Sequence, residues 1–382
     1  MAAAIISDDE LAHWLALRLI PGLGPRSTAK LIERYKSPLA IFRASISELE
    51  STGISGSTAR SISSGCTFDD AVDQQHKMLE AGAGFVPITD PRYPGRLKPI
   101  YDPPLGLFYK GKLELADSVT VAVVGTRHPT PYGVAATERL AGDLATAGIA
   151  VVSGMARGID STAHKAALAA GGETIAVFGC GVDLVYPQEN RKLYCDIVEK
   201  GLVLSEFPMG SPAFPQNFPI RNRIISGMSS GVLIVEGAQY SGSTITARLA
   251  LDHGREVYAV PGNITSKMSW APNLLIKQGA KLIQDWNDVF NDLPAADRRQ
   301  LAAKKAGQSD GYAPQIPLPL TPQEGLNKAI LECLQVDTST HIDLLLENLE
   351  NYSSSELIAG LFDLEMLGMV KQLPGKNFVK VW

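Results

Sequence analysis

The segment from Phe214 to Arg223 reads Phe-Pro-Gln-Asn-Phe-Pro-Ile-Arg-Asn-Arg. Rings interleaved with guanidinium groups are what proteins use to hold a single nucleic-acid strand. A ring stacks on a base, worth about 1–3 kcal/mol, and an arginine fork grips phosphate. The prolines predict an extended path that enters a helix at Arg221-Asn222-Arg223. Phenylalanine more commonly ends in the core, and that reading is preferred for Phe214. For Phe218, stacking and core packing both stand open.

Four small-residue loops could meet the same ligand. Gly125-Thr126-Arg127-His128, Ser153-Gly154-Met155-Ala156-Arg157-Gly158 and Gly179-Cys180-Gly181-Val182-Asp183 each follow an apolar run. Tyr240-Ser241-Gly242-Ser243-Thr244 opens a helical pattern. Bare amides at such turns and at helix N-termini attract anions. None of the loops carries the dinucleotide fingerprint or a Walker A motif, so neither cofactor is expected. Arg127 reads either as a phosphate ligand or as half of a structural ion pair.

Catalysis has little support. Asp160, Asp183, Glu206 and Glu236 show no dyad spacing, and His128 and His164 lack an evident Ser or Cys partner. Asp160 is expected to cap a helix and His164 to sit at a surface or cap. Cys66, Cys180, Cys195 and Cys333 lack metal-ligand spacing, so no metal is expected and a reduced, cytoplasmic chain is. No apolar run reaches the roughly 20 residues of a membrane span, and the start does not read as a leader peptide.

The elements that must position these residues alternate strand and helix over 118–290. Strands are expected near 119–124, 149–152, 174–178, 202–205, 232–235 and 257–260. Helices are expected near 132–147, 161–170, 191–200 and 244–252. Apolar strands alternating with helices predict an α/β fold with a parallel sheet covered on both faces, a Rossmann-like core. Residues 84–116 read as a proline-rich connector with two short strands, giving a domain over 84–290. Residues 1–83 read as a helical domain. Its Pro21-Gly22-Leu23-Gly24-Pro25 turn, weakly repeated at Thr52–Ser57, resembles a helix-hairpin-helix, a phosphate site or plain packing. Residues 291–320 lack an apolar period and read as a flexible linker. Residues 321–382 read as three helices (322–334, 341–349, 354–367) and a hairpin, a winged helix. That terminal unit has 4 basic and 9 acidic residues, which supplies the whole net charge of −5. Its third helix has Glu356, Asp363 and Glu365 but no Lys or Arg, so duplex reading is not expected of it.

Taken in series, the blocks resemble the DNA-processing protein A (DprA/Smf) family. They are Gly125-Thr126-Arg127 with Tyr132-Gly133, Ser153-Gly154 to Asp160, Gly179 to Asp183 with Tyr186-Pro187 and Asn190, Ser205-Glu206 and Phe218-Pro219 to Ile225. Ser241-Gly242-Ser243, Val260-Pro261-Gly262 and Asn273 to Ala280 complete them. The resemblance implies an extended Rossmann fold with a helical, SAM-like domain before it and a winged helix behind. It implies sequence-independent binding of single-stranded DNA, a homodimer, and loading of RecA recombinase onto incoming DNA in natural transformation. Carried onto this chain, the site uses Gly125, Thr126, Arg127, Ser153, Gly154, Arg157, Phe218, Arg221, Asn222, Arg223, Ser241, Gly242 and Ser243. The chain departs from the family pattern at Gly237 and Ala271.

The main rival is a Rossmann-like nucleotide-monophosphate phosphoribohydrolase. Those enzymes carry a Pro-Gly-Gly-x-Gly-Thr-x-x-Glu loop. The comparable turn here, Gly237 to Thr244, lacks the glutamate. A structural scaffold without DNA affinity is a third reading.

Overall fold

The computed structural model describes residues 7–307, 322–335, 339–349, 352–366, 369–373 and 375–380. The chain divides after Gly307 into two compact units.

A nine-stranded sheet organises the first unit. Its strands are β1 (Gly84–Pro87), β2 (Gly106–Gly111), β3 (Thr120–Val124), β4 (Ala150–Ser153), β5 (Thr174–Phe178), β6 (Leu202–Ser205), β7 (Gly231–Ile234), β8 (Glu256–Ala259) and β9 (Lys281–Leu282). The order is β1-β2-β6-β5-β4-β3-β7-β8-β9. From β6 to β9 every pairing is parallel, while β1 and β2, the connector strands, join antiparallel at one edge. This is the Rossmann-like sheet, extended by β6 and the antiparallel pair. Strand order reverses between β3 and β7, and in open sheets ligands collect beyond the strand ends at such a reversal.

Residues of one strand alternate between the two faces. Ala122 and Val124 of β3 pack with Val232 and Ile234 of β7, under Ile224, Ile225, Met228, Ala247 and Ala250. Those residues come from the helices Asn217–Met228 and Gly242–Asp252. Val121, Val123 and Leu233 face the other way, toward Leu140, Leu144, Ala163 and Ala167. Those belong to the helices Pro131–Thr146 and Ile159–Ala169. Each fully buried Val, Leu or Ile contributes about 1.5–3 kcal/mol, so both faces must stay covered.

The N-terminal residues form six helices between Asp8 and Ala81, with turns at Gly22 (φ 76°) and Gly53 (φ 90°). Ser7, Ser37, Ser45 and Ser55 each accept a backbone N–H at a helix start, the stabilising role of such residues. Trp14, Leu17, Leu31, Ile41 and Ile62 share one core with Phe85, Phe108, Phe178 and Val203 of the sheet. The helical region is therefore packed into the α/β body.

Two expectations are corrected. Prolines do not keep residues 217–220 extended, and the helix expected from Arg221 starts at Asn217. Pro219 falls in the first turn of the helix Asn217–Met228, where proline is tolerated because the N–H has no intrahelical partner. Nor is the start of the expected linker structureless: Trp286–Asp292 and Ala295–Gly307 are helices. The second is anchored by buried Asp297, which pairs with Arg96 and accepts from the Ser230 hydroxyl at 2.6 Å, and by buried Leu301. Residues 308–320 of that linker, and the expected end of the third terminal helix at Leu367, lie outside the described residues.

The second unit is a winged helix. Its helices are Pro322–Cys333, Ile342–Asn348 and Ser354–Met366. Three strands, β10 (Thr340–His341), β11 (Val370–Leu373) and β12 (Asn377–Lys380), pair in the order β10-β12-β11. Leu326, Ile330, Leu345, Leu357, Leu361, Val370 and Phe378 form its core.

Candidate nucleic-acid interface

A cleft of about 500 Å³ lies at the reversal point between β3 and β7. Gly125, Thr126 and Arg127 form its wall beyond β3. The Thr126 amide donates to the Glu236 carbonyl at 2.8 Å, which fixes this loop to the end of β7. The buried Glu236 carboxylate accepts from the Thr130 amide at 2.8 Å and its hydroxyl at 2.6 Å. Glu236 thus holds the start of the next helix and is not available as a general base.

Ser241, Gly242 and Ser243 form the wall beyond β7, at the N-terminus of the Gly242–Asp252 helix. The Ser241 and Ser243 hydroxyls lie 2.5 Å apart. The first amides of a helix lack partners within it, so this wall suits an anion.

The third wall is one face of the Asn217–Met228 helix. Phe218, Arg221, Asn222 and Ile225 stand on it, at i, i+3, i+4 and i+7. The Phe218 ring has Arg127 5.5 Å and Arg221 5.9 Å from its centroid. Arg127 is exposed and forms no ion pair among the described residues. Its guanidinium is therefore open to a ligand.

Arg221 is different. It is 3 % exposed, and Nη1 donates to the Val177 carbonyl at 2.9 Å. Its Nε has no partner among the described residues, an unfilled donor on the cleft wall. Burial pulls its pKa down and Arg127 adds to this, while Asp160 and Cys180 oppose it. An arginine nevertheless stays protonated. Asp160 is the nearby countercharge. Its own pKa is raised by burial, against the pull of Arg221 and of loop amides.

Several expected residues lie elsewhere. Arg223 sits two residues past Arg221, on the far side of the helix, and forms a buried pair with Glu206. Ser153 is fully buried and donates to the Val123 carbonyl at 2.7 Å. Gly154 is off the cleft wall, but its lack of a side chain is required: a Cβ there would overlap the Arg221 guanidinium. Arg157 is exposed and grips Glu189 with two bonds, of 2.6 and 2.7 Å, outside the cleft. Asp160 is not the helix cap. That position is Gly158, and Asp160 accepts instead from the Gly154 and Ala156 amides at 3.1 and 3.4 Å. His164 is not at a surface. It is fully buried, bonded to the Thr174 hydroxyl at 2.6 Å, and burial pushes its pKa down to about 3. Phe214 is half exposed and so does not plug the core.

Tyr186, Ile225, Ile245 and Thr246 also line the cleft. Helical spacing from Phe218 would have found Ile225. Tyr186 sits in a loop, where spacing gives no signal.

The family model for DNA recombination-mediator protein A matches residues 84–294, and a second, for the DprA winged helix domain, matches 314–376. The chain belongs to the DNA recombination-mediator protein A family. It is 33% identical to the protein Smf of Synechocystis over 98% of this chain and 99% of that one. The X-ray structure of DNA processing protein A from Streptococcus pneumoniae superposes with a TM-score of 0.66 at 33% identity, covering 76% of this chain and 99% of that one. A Helicobacter pylori DNA processing protein A structure, described as showing a single-stranded DNA binding mode, gives 0.51 at 31% identity over 56% and 97%. The family and the fold are thereby those that the sequence blocks resemble.

Proposed function

We propose that the cleft at the β3–β7 reversal binds single-stranded DNA without sequence preference, and that the chain works as a non-enzymatic mediator that hands the strand to RecA. One observation carries the reading: the Phe218 ring centroid lies 5.5 Å from an open guanidinium, Arg127, and 5.9 Å from a buried one, Arg221, beside a helix N-terminus. A ring takes any base, and cations take the backbone, so nothing in this set selects a sequence. The single-strand binding described for the Helicobacter pylori protein supports it. The family description as a recombination mediator supports the RecA step, and the resemblance carries the homodimer.

The test is fluorescence anisotropy with a labelled single strand and a duplex of equal length, across a salt series. The single strand should bind more tightly, and Arg127→Ala should weaken it. Losing one phosphate contact should lower the salt slope by about 0.7. Equal affinity for duplex, or an indifferent Arg127→Ala, overturns the site. Incubation with AMP should release no adenine; steady release would favour the phosphoribohydrolase.

A further inference from the structure

A second cleft, of about 610 Å³, adjoins the first, and Tyr186 and Ala213 belong to the walls of both. We propose that it is a second subsite for the same single strand, holding the nucleotides next to those at Phe218. The proposal rests on the single-strand reading of the first cleft.

Three observations carry it. The first is continuity of rings. Tyr186 is 44% exposed, and its ring lies 5.4 Å from that of Phe218 with 36° between the planes. A strand leaving Phe218 meets a second aromatic face at the boundary of the two clefts. Stacking tolerates any base, so the path keeps its indifference to sequence.

The second is charge. Lys110 on β2 and Arg191 at the start of the Arg191–Lys200 helix both line the second cleft. Neither forms an ion pair among the described residues. The Lys110 ammonium lies 5.7 Å from the Tyr194 ring centroid, on the same wall. Asp183 also stands there, but both its carboxylate oxygens accept from the Gly210 amide at 3.0 Å, which ties the acid to the loop beyond β6. Two uncommitted cations against one engaged carboxylate leave a wall that favours phosphate.

The third is the loop itself. Tyr186-Pro187 and Asn190 are prominent in the sequence yet have no part in the first cleft's cation set. Asn190 donates its side chain to the Met155 carbonyl at 3.0 Å. That bond fastens the Tyr186 loop to the loop beyond β4, and so holds the dividing ring in place.

The experiment is anisotropy with oligothymidylates of about 4 to about 16 nucleotides, the span of common single-strand sites. Wild type, Arg127→Ala and the double variant Lys110→Ala/Arg191→Ala are compared. Wild type should gain affinity with length. The double variant should match it on the shortest strand and fall about tenfold behind on the longest, with a salt slope lower by about 1.4 there only. Arg127→Ala should weaken all lengths alike. Lys110→Arg/Arg191→Lys should keep the gain with length, which separates lost charge from lost folding. A double variant that follows wild type at every length, or that is equally weak at every length, overturns the second subsite alone. A wild type that binds no strand overturns the first cleft's reading, and this one with it.

Discussion

Arg223 and Glu206 close on each other in the interior, Nη1 and Nη2 donating to the two carboxylate oxygens at 2.9 and 2.6 Å. Arg18 of the first helix joins them by donating to the Glu206 carbonyl at 3.2 and 3.3 Å. This knot fastens the helical region to the end of β6. Arg223→Ala would leave a buried carboxylate uncompensated, at a cost of about 3–5 kcal/mol. The expected outcome is a large drop in urea midpoint, with strand affinity of the folded protein kept within about twofold. Wild-type stability together with lost affinity would return Arg223 to the binding site.

Phe218 gives the opposite pattern. It is only partly buried and borders the open guanidinium of Arg127. Phe218→Ala should weaken single-strand binding by about 1–3 kcal/mol, the value of one stacked base. Phe218→Trp should retain binding, because it keeps a π face. Phe218→Leu decides the matter in an anisotropy titration: binding as in wild type would mean that the ring is only filler.

The contrast between Arg221 and Arg223 shows what the sequence could carry. Composition of the 214–223 segment identified rings and cations, but the face each residue takes depends on the helix phase. Reading Pro219 as an extender hid that phase. Strands β5 and β6 were legible because their apolar runs are continuous. The Ala295–Gly307 helix was not, since one leucine and a buried aspartate anchor it instead of an apolar stripe. The loops beyond β3 and β7 were legible as glycine-rich turns. That Gly154 makes room for Arg221 while Ser153 bonds the Val123 carbonyl, neither reaching the cleft, is a matter of packing depth, which loop composition does not encode.

His164 makes acid stability testable. Its pKa falls from 6.5 to about 3 because burial disfavours the charged ring, with Arg221 adding to the effect. Between those values the unfolded chain binds the proton and the folded one does not. The contribution is therefore complete above about pH 6.5 and is lost as pH falls toward 3, with a slope up to about 1.4 kcal/mol per pH unit. Asp160 works against this near its own raised pKa, since there the folded state takes up the proton first. Urea midpoints at pH 7 and pH 5 should fall more for wild type than for His164→Gln. Equal falls would show that His164 is not the group responsible.

Two glycines near the cleft should respond differently to one added methyl. At Gly154 the new Cβ would overlap the Arg221 guanidinium, so that side chain must leave and surrender its bond to Val177. Overpacking of this kind costs about 1–3 kcal/mol. Gly154→Ala should therefore lower stability and strand affinity together. At Gly242 the added Cβ would meet nothing within 4 Å apart from its chain neighbours and its own helix backbone. Gly242→Ala should leave stability unchanged or raise it by about 0.4–1 kcal/mol, through a less flexible unfolded chain. Gly242 nevertheless lines the cleft, so its methyl occupies space where the phosphate backbone would lie. Lost strand affinity in a protein as stable as wild type would then report on the ligand's position, free of any effect on folding. Full affinity in Gly242→Ala would move the backbone away from the helix N-terminus and leave Arg127 and Phe218 as its contacts.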